Sequence, residues 1–173
     1  MTDRVLQIVG CAAPPVRELV DLVRVVRGLG WDVCLTLTPI AATWLDASLD
    51  ELADAAGRPV RTRERGPDDP RPFPDPDALL AYPLTFNTLN KWALGISDNV
   101  ALGTLNEALG VGIPIVAVPW FKGALAAHPA SARSLETLRT SGVDLVLDEH
   151  GASPSGHGAL DWSTVVDRLP ATG

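Results

Sequence analysis

The sequence predicts an α/β fold in which a doubly wound parallel sheet carries helices on both faces, giving three layers in a single domain. Three observations support this prediction. Short apolar runs recur along the 173 residues, stretches with helical periodicity separate them, and glycine or proline ends most runs. Strands that alternate with helices form parallel sheets, because each crossover helix packs on one face of the sheet. The expected architecture is therefore Rossmann-like or flavodoxin-like.

The first βαβ unit is the clearest part of the pattern. Strands are predicted at 4–10 (RVLQIVG) and 31–37 (WDVCLTL), since both are short and apolar. Pro14 and Pro15 suit the first turn of the helix between them. The apolar face of that helix consists of residues at helical spacing, namely Val16, Leu19, Val20, Val23 and Val26.

The remaining elements follow in the same alternation. Further strands are predicted at 59–63, 78–81, 114–118 and 143–147. Further helices are predicted at 41–45, 49–56, 91–95, 101–109, 129–141 and 162–169.

Two segments are predicted to lack regular structure within this single domain, which spans residues 1–173. In 66–76 every second or third residue is proline, so this segment is expected to be a surface loop or flap near the site. The other is a glycine- and serine-rich tail at 148–161.

Composition limits the classes of partner. The net charge of −7 argues against nucleic acid or an anionic membrane, and no apolar run approaches the roughly 20 residues of a membrane helix. The start, Met1-Thr2-Asp3-Arg4, lacks the plan of a secretion signal, so a cytoplasmic location is expected. The two cysteines form no CxxC pair or Cys/His cluster, and no metal site is predicted.

The loops at the carboxyl edge of the sheet are the expected binding region. They are 10–13, 38–41, 83–88 and 119–122. The first lacks GxGxxG, and neither GxxxxGK[ST] nor GxSxG occurs, so ordinary NAD binding, P-loop chemistry and a serine nucleophile are disfavoured. A phosphate could rest on the amides after Gly10 and on the Thr38 hydroxyl.

The stretch from Tyr82 to Asn99 contains the most informative of these loops. Its polar turn at Thr85, Asn87 and Thr88 opens a helix, where backbone N–H groups and short side chains can hold an anion or the polar edge of a cofactor ring. An ordinary helix cap at Thr85 or Asn87 explains the same residues, and both readings stay open.

Other candidate groups are weaker. Cys11 could face a ligand from the first loop or simply pack, and Trp120 could stack on a planar ligand or be a core or subunit-contact aromatic. His128 is a candidate acid–base group, with solvated or capping roles as the alternative, and His150 and His157 lie in the tail.

At these loops the chain resembles the flavin-containing cysteine decarboxylase superfamily, which includes the phosphopantothenoylcysteine decarboxylases. Almost the whole chain takes part. The first βαβ unit is similar in VGCAAPPVRELVDLVRVVRGLGWDVCLTLTPIAATWL, and the PASANT or PLDANT signature is similar to PLTFNTLNKWALGISDN. The segment that carries PxMNxxMW in the family resembles VPWFKGALAAHPASARSLETLRTSGVDLV.

The resemblance implies FMN, bound between the subunits of a homotrimer or a multiple of trimers. By position, the phosphate and ribityl region would contact Gly10, Cys11, Ala12 and Thr38, and the ring would contact Leu84, Thr85, Phe86 and Asn87. Asn87 inherits the role of holding the substrate's carboxylate or reacting centre. The implied chemistry is oxidation of a cysteine-type thiol by the flavin and loss of carbon dioxide, on a small molecule or a peptide.

The chain departs from the family pattern at three places. The family histidine would fall near Asp69, but no histidine occurs between Arg58 and Pro83. The Met-Asn pair is replaced by Trp120-Phe121-Lys122, and a bulky Phe86 stands where the family has alanine. His128 or Asp69 could substitute for the missing acid–base group, whose removal commonly costs about 10²–10⁴-fold in rate.

These departures leave several functions in competition. The first is a diverged FMN-dependent decarboxylase-like enzyme that lacks the usual histidine. The second is a non-catalytic flavin-binding or regulatory subunit, and the third is a UbiX-like flavin prenyltransferase, which the lack of a basic loop disfavours. A domain of this fold that has lost the cofactor is the remaining alternative.

Overall fold

All five strands of the sheet run parallel, in the order β2-β1-β3-β4-β5. A computed structural model describes residues 4–148 and 162–171. The strands are β1 (Arg4–Gly10), β2 (Trp31–Leu37), β3 (Ala78–Leu84), β4 (Ile115–Pro119) and β5 (Val143–Leu145). The predicted fold class is confirmed.

The helices occupy the crossovers between these strands. They are α1 (Leu19–Gly28), α2 (Pro39–Trp44), α3 (Leu49–Ala56), α4 (Phe86–Ala93), α5 (Val100–Val111), α6 (Gly123–Ala126), α7 (Pro129–Thr140) and α8 (Trp162–Val166). A 3₁₀ turn over Pro14–Glu18 precedes α1, because the two prolines fix φ at the entry to the helix. Apart from Asp148, the predicted tail at 148–161 lies outside the described residues, as do His150 and His157.

Two apolar cores lie on opposite faces of the sheet. On one face Leu6, Ile8 and Leu80 pack against α1 and α3. On the other face Val9 and Leu79 pack against α4, α5 and α7. The alternation of side chains along each strand sends neighbouring residues to different cores, which is why the strands are apolar along their whole length.

The predicted strand at 59–63 is wrong. This segment makes a single parallel bridge, Thr36 with Arg61, in which the Leu37 N–H donates to the Arg61 carbonyl (2.9 Å) and the Arg61 N–H donates to the Leu35 carbonyl (2.8 Å). Pro59 has no N–H to extend the ladder. Arg58 pairs instead with Asp32 of β2. Residues 58–65 therefore lie along β2 as a strap, and the segment adds no sixth strand.

Strand β3 runs three residues beyond its predicted end at Ala81. Pro83 lies inside it, at a shift of register between Ala81 and Leu84 against β4. Proline is tolerated at such an irregularity because no ladder hydrogen bond is required of its nitrogen. The extension carries Leu84 to the carboxyl edge, directly before the polar turn.

The proline-rich loop at 66–76 has no helix or strand, as predicted. Its second half lies beside the end of α5, and Asp77 closes it at the amino edge, where the Asp77 N–H donates to the Val5 carbonyl (2.8 Å). This half of the loop therefore lies at the amino edge of the sheet, whereas the predicted site lies at the carboxyl edge. The expectation that the loop lies near the site is wrong for this half.

Replacing Gly10 with Ala should destabilise the fold. A Cβ at this position would lie 2.8 Å from Leu37 Cδ2 and 2.9 Å from Leu19 Cδ1, both in the core. Overpacking of this kind costs about 1–3 kcal/mol in the free energy of unfolding, measurable by urea titration. The matched control is Gly28→Ala, where a Cβ meets nothing within 4 Å. Its stability should be unchanged or slightly higher, and equal losses in both variants would contradict the packing argument.

The stability of the fold should decline above pH 9. Burial raises the pKa of the Cys34 thiol from 9.0 to about 11. The unfolded chain therefore releases this proton at a lower pH than the folded chain, and the free energy of unfolding falls as the pH rises from 9 towards 11. Urea titrations at several pH values in this interval test the slope. Cys34→Ser removes the titrating thiol, so its slope should be shallower, and identical slopes would refute the assignment.

Candidate functional site

The carboxyl ends of four neighbouring strands meet at one edge of the sheet, and backbone hydrogen bonds tie their loops together. The Cys11 N–H donates to the Pro83 carbonyl (3.0 Å), and the Thr38 N–H donates to the Gly10 carbonyl (3.0 Å). On the other side, the Trp120 N–H donates to the Leu84 carbonyl (2.8 Å). The four loops predicted from the sequence therefore form one continuous surface.

Polar side chains that open the helices at this edge act as caps. Thr38 accepts from the Ala41 N–H (3.4 Å) at the start of α2, and Thr85 accepts from the Thr88 N–H (3.4 Å) at the start of α4. The Thr85 hydroxyl also donates to the Thr88 hydroxyl (3.1 Å). The capping reading of Thr85 is therefore correct, and Thr38 is 7% exposed, so only a small part of it faces solvent.

Asn87 is not a cap. Its side chain is exposed and makes no hydrogen bond with any described residue. Asn87 is the second residue of α4, and its carboxamide points away from the fold beside the turn that Thr85 caps. A carboxamide offers two N–H donors and an acceptor oxygen without adding charge. Among the predicted site residues at the starts of α2 and α4, Asn87 is the polar side chain that the fold leaves available.

The Cys11 thiol is enclosed. It is fully buried, and burial raises its pKa, while hydrogen bonds from the Thr85 backbone and from the Thr88 and Thr85 side chains act in the opposite direction. A buried neutral thiol is a poor nucleophile. Of the two readings that the sequence left open for its side chain, the structure places it in packing, beneath the turn that carries Asn87.

Gly10, the last residue of β1, and Ala12, in the loop after it, have different roles. The missing side chain of Gly10 allows Leu37 and Leu19 to pack against the end of β1, so this glycine serves the core. Ala12 is half-buried, and its backbone N–H donates to no group among the described residues. The loop after β1 therefore presents an open amide at Ala12 and little side-chain bulk.

Three aromatic rings lie together beside Asn87. The Phe86 ring packs edge-on against Phe121 at 5.7 Å and against His128 at 5.6 Å between ring centroids. Such T-shaped pairs stabilise by about 0.5–1.5 kcal/mol beyond area burial. The sequence separation of 35 to 42 residues between Phe86 and its partners is closed only by the fold. This cluster was not predicted from the sequence, where Phe86 was named as a ring contact and as a bulky substitution but was not grouped with Phe121 or His128.

His128 and Trp120 occupy the rim of this cluster. His128 is exposed and caps α7, with its Nδ1 accepting from the Ala130 N–H (3.1 Å). In the neutral ring the proton is therefore on Nε2. Trp120 is half-buried at the end of β4, and Phe121 is 7% exposed. Phe121 is thus a core residue, which leaves Trp120 as the aromatic side chain of this loop that a ligand can reach.

The last two residues of the stretch from Tyr82 to Asn99 stabilise local structure. Asn99 caps α5 by accepting from the Leu102 N–H (3.1 Å), and Asp98 pairs with Lys91. Asp69, the position at which the family histidine would fall, accepts from the Gly66 N–H (2.7 Å) within its own turn. It makes no contact with the aromatic cluster.

Two further properties concern only the described part of the chain. In residues 4–148 and 162–171, no group of three histidine, cysteine, aspartate or glutamate side chains could hold a metal ion. No helix of this part is long and apolar enough to cross a bilayer.

Comparison with known proteins gives three kinds of match. The family model described as Flavoprotein matches residues 14–172. A curated "Cysteine/Cysteine sulfinic acid decarboxylase" from an unknown prokaryotic organism is 34% identical over 80 residues, which is 46% of this chain but only 21% of the relative's length.

The structural matches cover most of the chain. The FMN-dependent cysteine decarboxylase SpaF superposes with a TM-score of 0.73 at 21% identity, over 95% of this chain and 93% of SpaF. AnUbiX (PadA1), solved with FMN and dimethylallyl pyrophosphate, superposes with a TM-score of 0.68 at 15% identity, over 82% of this chain and 76% of its own. At these identities the superpositions establish the fold. The match to the family model establishes more, and confirms the resemblance seen in the loops: the chain belongs to the Flavoprotein family.

Proposed function

We propose that this protein binds FMN at the carboxyl edge of its sheet and acts as a diverged oxidative decarboxylase-like enzyme on a cysteine-type substrate that carries a thiol and a carboxylate. Membership of the Flavoprotein family is the observation that carries the proposal. The curated relative, although matched over part of its length, is a decarboxylase of cysteine or cysteine sulfinic acid.

The residues at this edge fit a flavin. The backbone N–H groups of Phe86 and Asn87, in the first turn of α4, donate to no described residue, and neither does that of Ala12. Unpartnered amides at a helix start favour a negative charge or a carbonyl oxygen. Beside them lie the half-buried ring of Trp120 and the edge of Phe86, which suit a planar ligand.

Each part of the FMN molecule is assigned to particular loops at the carboxyl edge. The phosphate and ribityl chain belong to the loops after β1 and β2, with Ala12 supplying an amide and the backbone around Gly10, Cys11 and Thr38 forming the wall. The ring belongs to the turn from Leu84 to Asn87, with Trp120 beside it. When bound, the flavin supplies two-electron oxidation of the thiol-bearing carbon.

Asn87 binds and orients the substrate in this proposal. Its exposed carboxamide N–H groups can hold the carboxylate that is lost, and its neutrality avoids repelling that carboxylate. Phe86 and His128, which pack edge-on against each other and are backed by the buried Phe121, form a wall of this site.

His128 is the candidate that moves a proton. Because Nδ1 is occupied by the Ala130 N–H, Nε2 is the nitrogen that can donate a proton to substrate or receive one. The edge contact with Phe86 holds the ring in place beside the turn that carries Asn87.

A non-catalytic flavin-binding subunit is the second candidate, and specific observations favour it. Phe121, at the position of the family's substrate clamp, is buried and faces the core instead of a substrate. No histidine occurs between Arg58 and Pro83. Flavin prenyl transfer has weaker support, since Lys122 is the only charged residue of the four loops between strand end and helix start.

Association into a homotrimer or a multiple of trimers forms part of the proposal. Ile40 and Trp44 lie one helical turn apart on α2 and are 62% and 49% exposed. An exposed apolar pair beside the proposed flavin edge is suited to contact with a second copy of the chain.

The purified chain should bind FMN and retain its visible absorbance through gel filtration. Ala12→Asp places a carboxylate in the loop proposed for the phosphate, so it should weaken FMN binding at least tenfold, by about 1.4 kcal/mol. Riboflavin, which lacks the phosphate, should be affected less. The neutral control is Ala12→Asn, expected to resemble the unchanged chain. A colourless protein that takes up no added FMN would overturn the proposed function.

Asn87→Asp should remove turnover and leave flavin bound. A peptide with a C-terminal cysteine serves as the substrate, and loss of one carbon dioxide is followed by mass spectrometry. The added charge repels the carboxylate and removes a donor, which should lower the rate about 10²–10³-fold. Asn99→Asp is the matched control, since aspartate caps α5 equally well. Unchanged turnover in Asn87→Asp would remove its assigned role, and FMN binding without any turnover by the unchanged chain would favour the non-catalytic subunit.

A further inference from the structure

A cavity lies beside the amino end of β3, away from the carboxyl edge of the sheet. It has a volume of about 390 Å³ and is enclosed by the second half of α5 and the proline-rich loop, with Gln7 and Leu79 at its floor. Ligand pockets in proteins commonly enclose about 300–1,000 Å³. Leu79 is five residues before Leu84 on β3, a separation of roughly 16 Å along the strand. The cavity is therefore separate from the site at the carboxyl edge.

The floor of this cavity is rigid and polar. Gln7 is 4% exposed, and its side-chain nitrogen donates to the Ile8 carbonyl (3.0 Å), the Cys34 carbonyl (3.2 Å) and the Thr36 hydroxyl (3.1 Å). These bonds fix the orientation of the amide. Two of these acceptors belong to β2, beside the strap at 58–65.

Arg61 carries an unsatisfied donor at the wall. Its Nε is buried and has no hydrogen-bond partner among the described residues. The side chain is 22% exposed, and its one ion-pair contact, from NH2 to Glu64 Oε2, is long at 3.4 Å. A buried donor without an acceptor costs about 1–3 kcal/mol, more for a charged group. This Nε is closed off from the cavity, so a ligand would contact the exposed part of the guanidinium, whose ion pair with Glu64 is long.

The charges around the cavity favour a single negative charge on that ligand. Three arginines line it, Arg61, Arg65 and Arg71, against two carboxylates, Asp75 and Glu107. Among the lining residues this leaves one excess positive charge, and Glu64, outside the lining, offsets part of it by pairing with Arg61. This small excess suits a ligand with one negative charge. The two carboxylates would repel a phosphate ester with two negative charges, and the arginines would not balance both of them.

The rest of the lining is apolar. Ala108, Val111 and Ile113 lie at the end of α5 and just beyond it, and Phe73 faces them from the proline-rich loop. Val111 is 78% exposed at the mouth. A body of hydrocarbon or an aromatic ring would be removed from water here, at about 25 cal/mol for each Å² buried.

We propose that this cavity binds a small monocarboxylate with an apolar or aromatic body, whose carboxylate pairs with Arg61 and whose body lies against the end of α5. The guanidinium matches a carboxylate in geometry, and charge-assisted hydrogen bonds are the stronger kind. The proposal is independent of the flavin site.

Calorimetric titration of the whole chain with 3-phenylpropionate and with hexanoate tests the proposal. At least one of them should bind saturably at one site per chain, and the uncharged 3-phenyl-1-propanol should bind at least tenfold more weakly. Saturating FMN should leave the affinity unchanged. Absence of saturable binding by both acids, equal binding of the alcohol, or competition with FMN would each overturn the proposal.

Variants at the wall and the mouth separate the cavity from other sites. Arg61→Gln should weaken carboxylate binding at least tenfold, and the control Arg24→Gln, at an exposed arginine of α1, should not. Since Arg61 also lies in the strap, a second pair avoids any loss of folding. Val111→Asp at the exposed mouth should weaken binding several-fold, while the neutral Val111→Asn should retain it. Equal affinities within both pairs would place the ligand elsewhere and refute the assignment.

Discussion

Three backbone hydrogen bonds between neighbouring strand ends hold the candidate site together. They join the loop after β1 to β3, the loop after β2 to β1, and the loop after β4 to β3. Each continues the parallel ladder one or two residues past the last paired residue, so the loops inherit the spacing of the strands. The positions of Ala12, Asn87 and Trp120 relative to one another follow from this arrangement, and so does the continuous surface on which the proposed function depends.

Helix capping then divides the polar residues of this surface into two groups. Thr38, Thr85, His128 and Asn99 each accept from a backbone N–H at the start of a helix, because the first N–H groups of a helix have no carbonyl partner within it. Asn87 lies two residues past its cap and is therefore spared this role. The same cap leaves the amides of Phe86 and Asn87 without partners. A stable helix start and a binding surface are thus produced by one turn.

One face of the sheet is covered differently on its β3 and β4 side and on its β2 side. Near β3 and β4 the helices α4, α5 and α7 seal an apolar core. Along β2 the strap at 58–65 lies on this face as well, where the Arg58 side chain contacts Asp32 and Cys34 and the Arg61 backbone bridges Thr36. Charged residues at this position leave a polar floor at Gln7 and a cavity beside α5, which the carboxyl-edge site does not use.

The sequence by itself determined the fold class, the bounds of β1, β2 and α3, and the four loops of the site. It did so because apolar periodicity and proline or glycine punctuation are local properties of the chain. Only the tertiary structure decided that 59–63 bridges β2 once without joining the sheet, that Cys11 is enclosed while Asn87 is open, and that Phe86 meets Phe121 and His128. These outcomes depend on which distant side chains compete for the same space and the same hydrogen bonds, and no local pattern records that competition.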